Sequence, residues 1–148
     1  MADKAKIIEI LEAVAEVLNA ADLPLKVAAE RVYAPALELK DSRLRVFVYW
    51  NGEVQVARSH RQQRDETYAV EVAVMKRVSC PDVDQCDPLV NLCQAIGDLF
   101  FVTRNGQERL EATGAACAEI PQSRFDYERL TDSNEFAYVW QFLFQVER

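Results

Sequence analysis

The C-terminal segment is the feature that most restricts how this chain can fold. Large apolar side chains occupy every second position there: Phe136, Tyr138, Trp140, Phe142, Phe144 and Val146. A period of two places such side chains on one face of a β-strand. Full burial of one large apolar side chain contributes about 1.5–3 kcal/mol, so this strand supplies much of the driving force for folding. We predict that it lies in the middle of a sheet or at a contact between subunits.

Shorter alternating segments predict further strands in the first half of the chain. Val27 to Tyr33 predicts an edge strand or a first strand. Leu44 to Trp50 alternates with a period of two, and the Asn51-Gly52 pair that follows it is typical of a tight hairpin turn. Val54 and Val56 then continue as the return strand of the predicted hairpin.

The middle of the chain combines polar and alternating segments. Residues 57–66 are polar and charged, which indicates a solvated loop or an extended ribbon. Tyr68 to Met75 alternates again and predicts the best-defined strand of this region. Residues 110–120 predict a weaker strand, and the polar residues 122–134 predict a loop or short turn that packs against the body.

Two segments have the 3.6-residue period of amphipathic helices. The first runs from about Lys4 to Ala21 after a potential N-cap at Asp3, with its apolar stripe at Ile7, Leu11, Val14 and Leu18. The second begins at Asp87-Pro88, an N-cap followed by proline at the first helical position. Its apolar stripe continues to about Val102 through Leu89, Leu92, Ile96 and Leu99.

The order of these elements predicts the fold class. Strands joined by turns favour antiparallel pairing, and two amphipathic helices cover one side of such a sheet. We predict an α+β fold, a two-layer sandwich with a mostly antiparallel mixed sheet and two main helices on one face. The 148 residues suit one domain, 1–148, with a substantial core.

The charge balance narrows the range of partners. The chain has 24 acidic and 17 basic residues, a formal net charge of −7, so it repels polyanions at neutral pH. Binding around DNA or on an anionic membrane is therefore not expected. The N-terminal segment contains acids within its apolar stretch, unlike a signal peptide, and we expect the protein to remain in the cytoplasm.

The sequence offers little for catalysis or metal binding. Its four cysteines, expected to be reduced, are Cys80, Cys86, Cys93 and Cys117. They form no C-x2-C pair, and the acids at 82, 84 and 87 lack the glycine and distal glutamate of a calcium loop. We expect no metal, no cofactor and no enzymatic activity. A thiol enzyme that uses Cys80 and the single histidine, His60, is the remaining alternative.

One cluster of positive charge interrupts this acidic chain. It consists of Arg58, His60, Arg61 and Arg64. A solvated loop is the simpler explanation. The functional hypothesis is a contact with an acidic neighbouring subunit or another partner, because opposite charges favour complementary association.

The order of the segments along the whole chain is more informative than any single motif. After the amphipathic helix come V-Y-x-P at Val32 to Pro35 and a strand L-R-V-F-V. A polar, arginine-containing loop and the strand Y-A-V-E-V-A-V-M-K-R-V from Tyr68 to Val78 follow. A D-P-L-V-x-L helix and the aromatic strand complete the pattern. This ordered pattern resembles the tail terminator (tail completion) proteins of long-tailed bacteriophages.

This resemblance implies a structural subunit that forms a hexameric ring on the end of the tail tube. Such a ring stops tube growth and presents a surface to the head-neck complex, with no reaction involved. It also implies assembly in the host cytoplasm, location at the tail-neck region of the virion, and genome DNA that passes through the lumen without specific binding. The basic cluster then becomes a candidate contact with a neighbouring subunit or with the tube.

Two alternatives remain open beside the tail terminator. The chain could be a head-tail joining or other neck protein of the same virion. From a different class, it could be a small non-enzymatic binding module, which predicts a monomer or dimer that ignores tail tubes.

Overall fold

The described residues of the computed structural model are 4–35, 39–58, 64–100, 110, 113–117 and 121–147. They form an α+β fold with three helices and a mixed sheet of six strands. In chain order the elements are α1 (Lys6–Ala20), β1 (Ala29–Arg31), β2 (Arg45–Arg58), β3 (Arg64–Arg77), α2 (Val83–Phe100), β4 (Ala115–Cys117), β5 (Gln122–Phe125), α3 (Tyr127–Ser133) and β6 (Glu135–Glu147).

The C-terminal strand lies inside the sheet, which confirms one of the two placements predicted for it. The strand order is β1-β2-β3-β6, and both β4 and β5 pair with the far edge of β6. β1 pairs in parallel with β2, while the other pairs are antiparallel. The short β1 is an edge strand, as the sequence predicted, although it is only three residues long.

The main core lies on the face formed by even-numbered strand residues. Val72 and Val74 of β3 and Phe142 and Phe144 of β6 are buried there. The apolar stripes of α1 and α2 belong to the same cluster, through Ile10, Leu11, Val14, Leu18, Leu89, Leu92, Cys93 and Ile96. The amphipathic periods therefore identified the faces by which both long helices pack.

A glycine fixes how closely α2 approaches the sheet. A Cβ atom at Gly97 would overlap the indole ring of Trp140. The Trp140 indole N–H donates to the Cys93 carbonyl at 2.7 Å, and the ring stacks on Phe142 at a centroid distance of 5.7 Å. These contacts hold β6 against α2.

The predicted hairpin at Asn51-Gly52 is wrong, because β2 runs through this pair. The pairing with β3 shifts register between Trp50 and Val54, and Gly52 has a positive φ of 92°. The Trp50 indole donates to the Glu53 carbonyl at 2.9 Å, and the Glu53 N–H donates to Asn51 Oδ1 at 2.9 Å. A bulge and a tight turn both need a residue with positive φ, which Gly52 supplies. The two hydrogen bonds around the bulge then allow β2 to continue beyond it.

Two other boundaries differ from the predictions. α2 begins at Val83, so Asp87-Pro88 lies inside it, and the residue that caps it is Asp82, whose Oδ1 accepts from the Gln85 N–H at 2.9 Å. The polar residues 122–134 form β5 and α3 instead of a loop, because Asp126 caps α3 and β5 pairs with β6. Asp3 and Val102 lie outside the described residues, as does most of the predicted strand 110–120.

Candidate functional site

The basic cluster maps to the far end of the long β2–β3 ladder. Arg58 is the last residue of β2, and its backbone lies opposite Arg64, the first residue of β3. Arg64 Nε lies 2.9 Å from Glu66 Oε1, and the buried Glu66 also receives a hydrogen bond from the Tyr68 hydroxyl. The charge of Arg64 is therefore partly balanced within the subunit. His60 and Arg61 lie outside the described residues.

β1 and β2 together form one edge of the sheet, and beyond the bulge this edge is β2 itself, which is exposed there. β1 pairs with β2 only at Val46–Val48, and no other described strand pairs with this edge. Residues 52–57 are all exposed. We call the uncharged segment Val54, Gln55, Val56 and Ala57 the free edge. Such an edge presents unpaired N–H and C=O groups to another chain, and here no charge within the segment opposes pairing.

Sequence reasoning identified the arginines near this surface but missed the free edge. The predicted hairpin placed Val54 and Val56 in a return strand, whereas they continue β2 itself. The signal that was available is the uncharged V-Q-V-A run between Glu53 and Arg58.

A polar cavity lies on the sheet face opposite the two long helices. It has a volume of about 210 Å³ and is lined by Glu71, Gln122, Ser123, Arg124, Val139 and Gln141. The register builds it, since Tyr49, Glu71, Gln141 and Gln122 are direct neighbours across four strands. Residues directly opposite on antiparallel strands place their side chains on the same face.

Tyr49 forms one side of this row. It packs in a small second cluster with Leu39 and Phe47 and is buried. Burial and a hydrogen bond to the Glu71 carboxylate together raise the pKa of Tyr49 well above its usual range, while nearby Arg124 lowers it. The phenol is therefore neutral at physiological pH and donates its proton to Glu71.

The surroundings of Cys80 and Cys93 disfavour nucleophilic chemistry. Cys80 Sγ lies 2.9 Å from Asp82 Oδ2, and this hydrogen bond raises the pKa of Cys80. Burial raises the pKa of Cys93 to about 12. Both environments favour the protonated thiol, whereas the thiolate is the reactive form. Within the described ranges, no three His, Cys, Asp or Glu side chains are grouped to hold a metal ion.

None of the described helices combines the length and the apolarity that crossing a bilayer requires. Neither the models of known protein families nor the curated proteins give a match to this chain.

Proposed function

We propose that the chain is a structural virion protein of the tail terminator type, with a two-layer sandwich as its subunit fold. In this proposal, six copies form a ring that caps the tail tube, ends tube polymerisation and presents an interface to the head-neck complex. The ring resides in the tail-neck region and is assembled in the host cytoplasm. Genome DNA passes through its lumen without specific binding.

The observation that carries the proposal is the free edge. A strand of 14 residues has its inner part covered by β1 and its outer part uncovered by any described strand. Val54 and Val56 are 40% and 61% exposed on that outer part. Monomeric proteins usually protect such an edge with charge, proline or a covering segment. An uncharged edge with two exposed valines therefore favours a protein whose edge is covered by another subunit.

The distribution of charge agrees with the proposal. The basic positions Arg58, His60, Arg61 and Arg64 follow the free edge directly in sequence, in a chain of net charge −7. A basic segment on an acidic protein favours a head-to-tail contact between copies, and such heterologous contacts generate rings when the rotation closes. The acidic balance would also keep DNA from adhering to a lumen.

A pair of double variants tests the proposal. In Val54→Lys/Val56→Lys, two ammonium groups oppose pairing of the free edge. Val83→Lys/Val90→Lys is the matched control, because these valines on α2 are similarly exposed, at 68% and 45%. Native mass spectrometry and electron microscopy with purified tail tubes should show that the wild type and the control form rings and cap tubes of fixed length. The free-edge variant should remain monomeric and leave tube ends open.

The other outcomes separate the alternatives. Rings that ignore tube ends but bind the portal side of the head would identify a head-tail joining protein of the neck. A monomer or dimer that is indifferent to tubes in the wild type would contradict the proposal and favour a small binding module. Equal assembly of both double variants would show that the free edge is not the contact.

A further inference from the structure

The polar cavity lies over two adjacent rows of the sheet. Next to the row of Glu71 and Gln141 lies a row in which Ala73 and Val139 are neighbours, followed by Arg124 on β5. The short Val139 side chain lines the cavity beside the longer side chains of Glu71, Gln141 and Arg124. The cavity is thus a consequence of the register.

Three of the polar side chains that line this cavity have no polar partner among the described residues, whereas Ser123 accepts from the Tyr138 hydroxyl at 2.7 Å. In the described part of the chain, the side chains of Gln122, Arg124 and Gln141 have no hydrogen bond or ion pair. Glu71 accepts from Tyr49, but it forms no ion pair with Arg124, although both line the same cavity. A carboxylate and a guanidinium thus line one cavity without forming an ion pair with each other.

A second polar cavity beside α3 shows the contrasting arrangement. It has a volume of about 590 Å³ and includes Arg77, Arg129 and Glu135 in its lining. There the buried Glu135 carboxylate lies 2.6 Å from Arg129 Nε and 4.0 Å from an Arg77 nitrogen. The two arginines of this second cavity already pair with Glu135, whereas Arg124 in the first cavity has no ion-pair partner among the described residues.

We propose that the polar cavity binds an amino-acid carboxylate together with the N–H group on the same α-carbon. Arg124 would receive the carboxylate, since a guanidinium binds carboxylates through two parallel hydrogen bonds. Glu71 would accept from the ligand N–H, and the amides of Gln122 and Gln141 would bond the remaining polar atoms. A cavity below the usual size for drug-like ligands admits one small residue. The ligand is a free amino acid or the C-terminal residue of a polypeptide.

Amide chemical-shift titrations by NMR test this proposal and separate the two sources. The probes are free glycine, acetyl-glycylglycine with a free carboxylate, and the same peptide as its C-terminal amide. The first two should give saturable shifts at Glu71, Gln122, Arg124 and Gln141. The amidated peptide should bind at least about tenfold more weakly, because it lacks the charge that Arg124 receives. Tighter binding of glycine indicates a free amino acid as the ligand, and tighter binding of the peptide indicates a polypeptide C-terminus.

Variants of the cavity make the test specific. Arg124→Gln should raise the dissociation constant at least about tenfold, while Arg43→Gln, a matched change of an exposed arginine elsewhere, should leave it unchanged. Glu71→Gln should weaken the binding of glycine more than that of the peptide, because an ammonium gains more from a carboxylate than an amide N–H does. The absence of saturable shifts at the cavity, equal binding of the amidated peptide, or equal effects of the two arginine variants would each overturn the proposal. The binding site does not depend on ring formation, so its failure would leave the proposed function untouched.

Discussion

The bulge divides β2 into an inner half, residues 45–50, and an outer half, residues 54–58. Valines alternate with other residues in both halves, but their surroundings differ. Val46 and Val48 are 1% and 0% exposed, whereas Val54 and Val56 are 40% and 61% exposed. α1 and β1 pack against the inner half, and the bulge at residues 51–53 separates it from the outer half. The comparison teaches that alternation determines which side chains share a face, while burial depends on which other elements reach that face.

The largest expected loss of stability comes from a substitution that separates α2 from the sheet. Gly97→Val would place a branched side chain in the space that the Trp140 ring occupies. We expect a loss of about 3 kcal/mol or more in the free energy of unfolding, because overpacking forces α2 away from β6. Urea denaturation measures it. Gln94→Val, at an exposed position of the same helix, should cost less than about 1 kcal/mol from helix propensity alone.

The comparison between the halves is tested directly by truncating one valine in each. Val48→Ala should cost about 2 kcal/mol in the free energy of unfolding, since it removes two fully buried methyl groups and leaves a cavity. Equilibrium denaturation of the dilute protein gives the value. A loss below about 0.5 kcal/mol would show that the inner half is not packed as described.

The buried phenol makes the inner half sensitive to alkaline pH. Folding raises the pKa of Tyr49 above its value in the unfolded chain, which is about 10. Below about pH 10 the neutral phenol therefore contributes its full stabilisation to the folded state. That contribution is lost as the pH rises further, by up to about 1.4 kcal/mol per pH unit. Tyr49→Phe should flatten the decline in stability between pH 9.5 and 11. An unchanged slope in this variant would contradict the burial of Tyr49 against Glu71.

The smallest effect belongs to the outer half. Val56→Ala should change the stability of the dilute subunit by less than about 0.5 kcal/mol, because this side chain is mostly exposed. The same denaturation experiment provides the comparison with Val48→Ala. Equal losses in the two variants would show that the free edge is covered in the isolated subunit.

Much of the fold was predictable because it rests on periodicity. The period of two located β2, β3 and β6, and the 3.6-residue period located α1 and α2. The Asn51-Gly52 error arose because a bulge and a hairpin need the same glycine conformation, and only the pairing partner distinguishes them. α3 was missed because seven residues hold too few turns for a periodic signal.

The candidate sites were less predictable than the fold. The basic positions were visible in the sequence, but the free edge depends on where β1 ends relative to β2. The polar cavity combines residues from β3, β5 and β6, and only the register brings Glu71, Gln141 and Gln122 into one row. Pairings between residues so far apart in the chain leave no local pattern to read.

Amide hydrogen exchange of the free edge tests the central claim most directly. Exchange at residues 54–57 is compared between the dilute subunit and the protein assembled at tube ends. If the free edge joins neighbouring copies, the amides that point away from β3 should slow at least about tenfold on assembly, while those of Val46 and Val48 stay unchanged. Assembled rings in which residues 54–57 exchange as fast as in the dilute subunit would contradict the account.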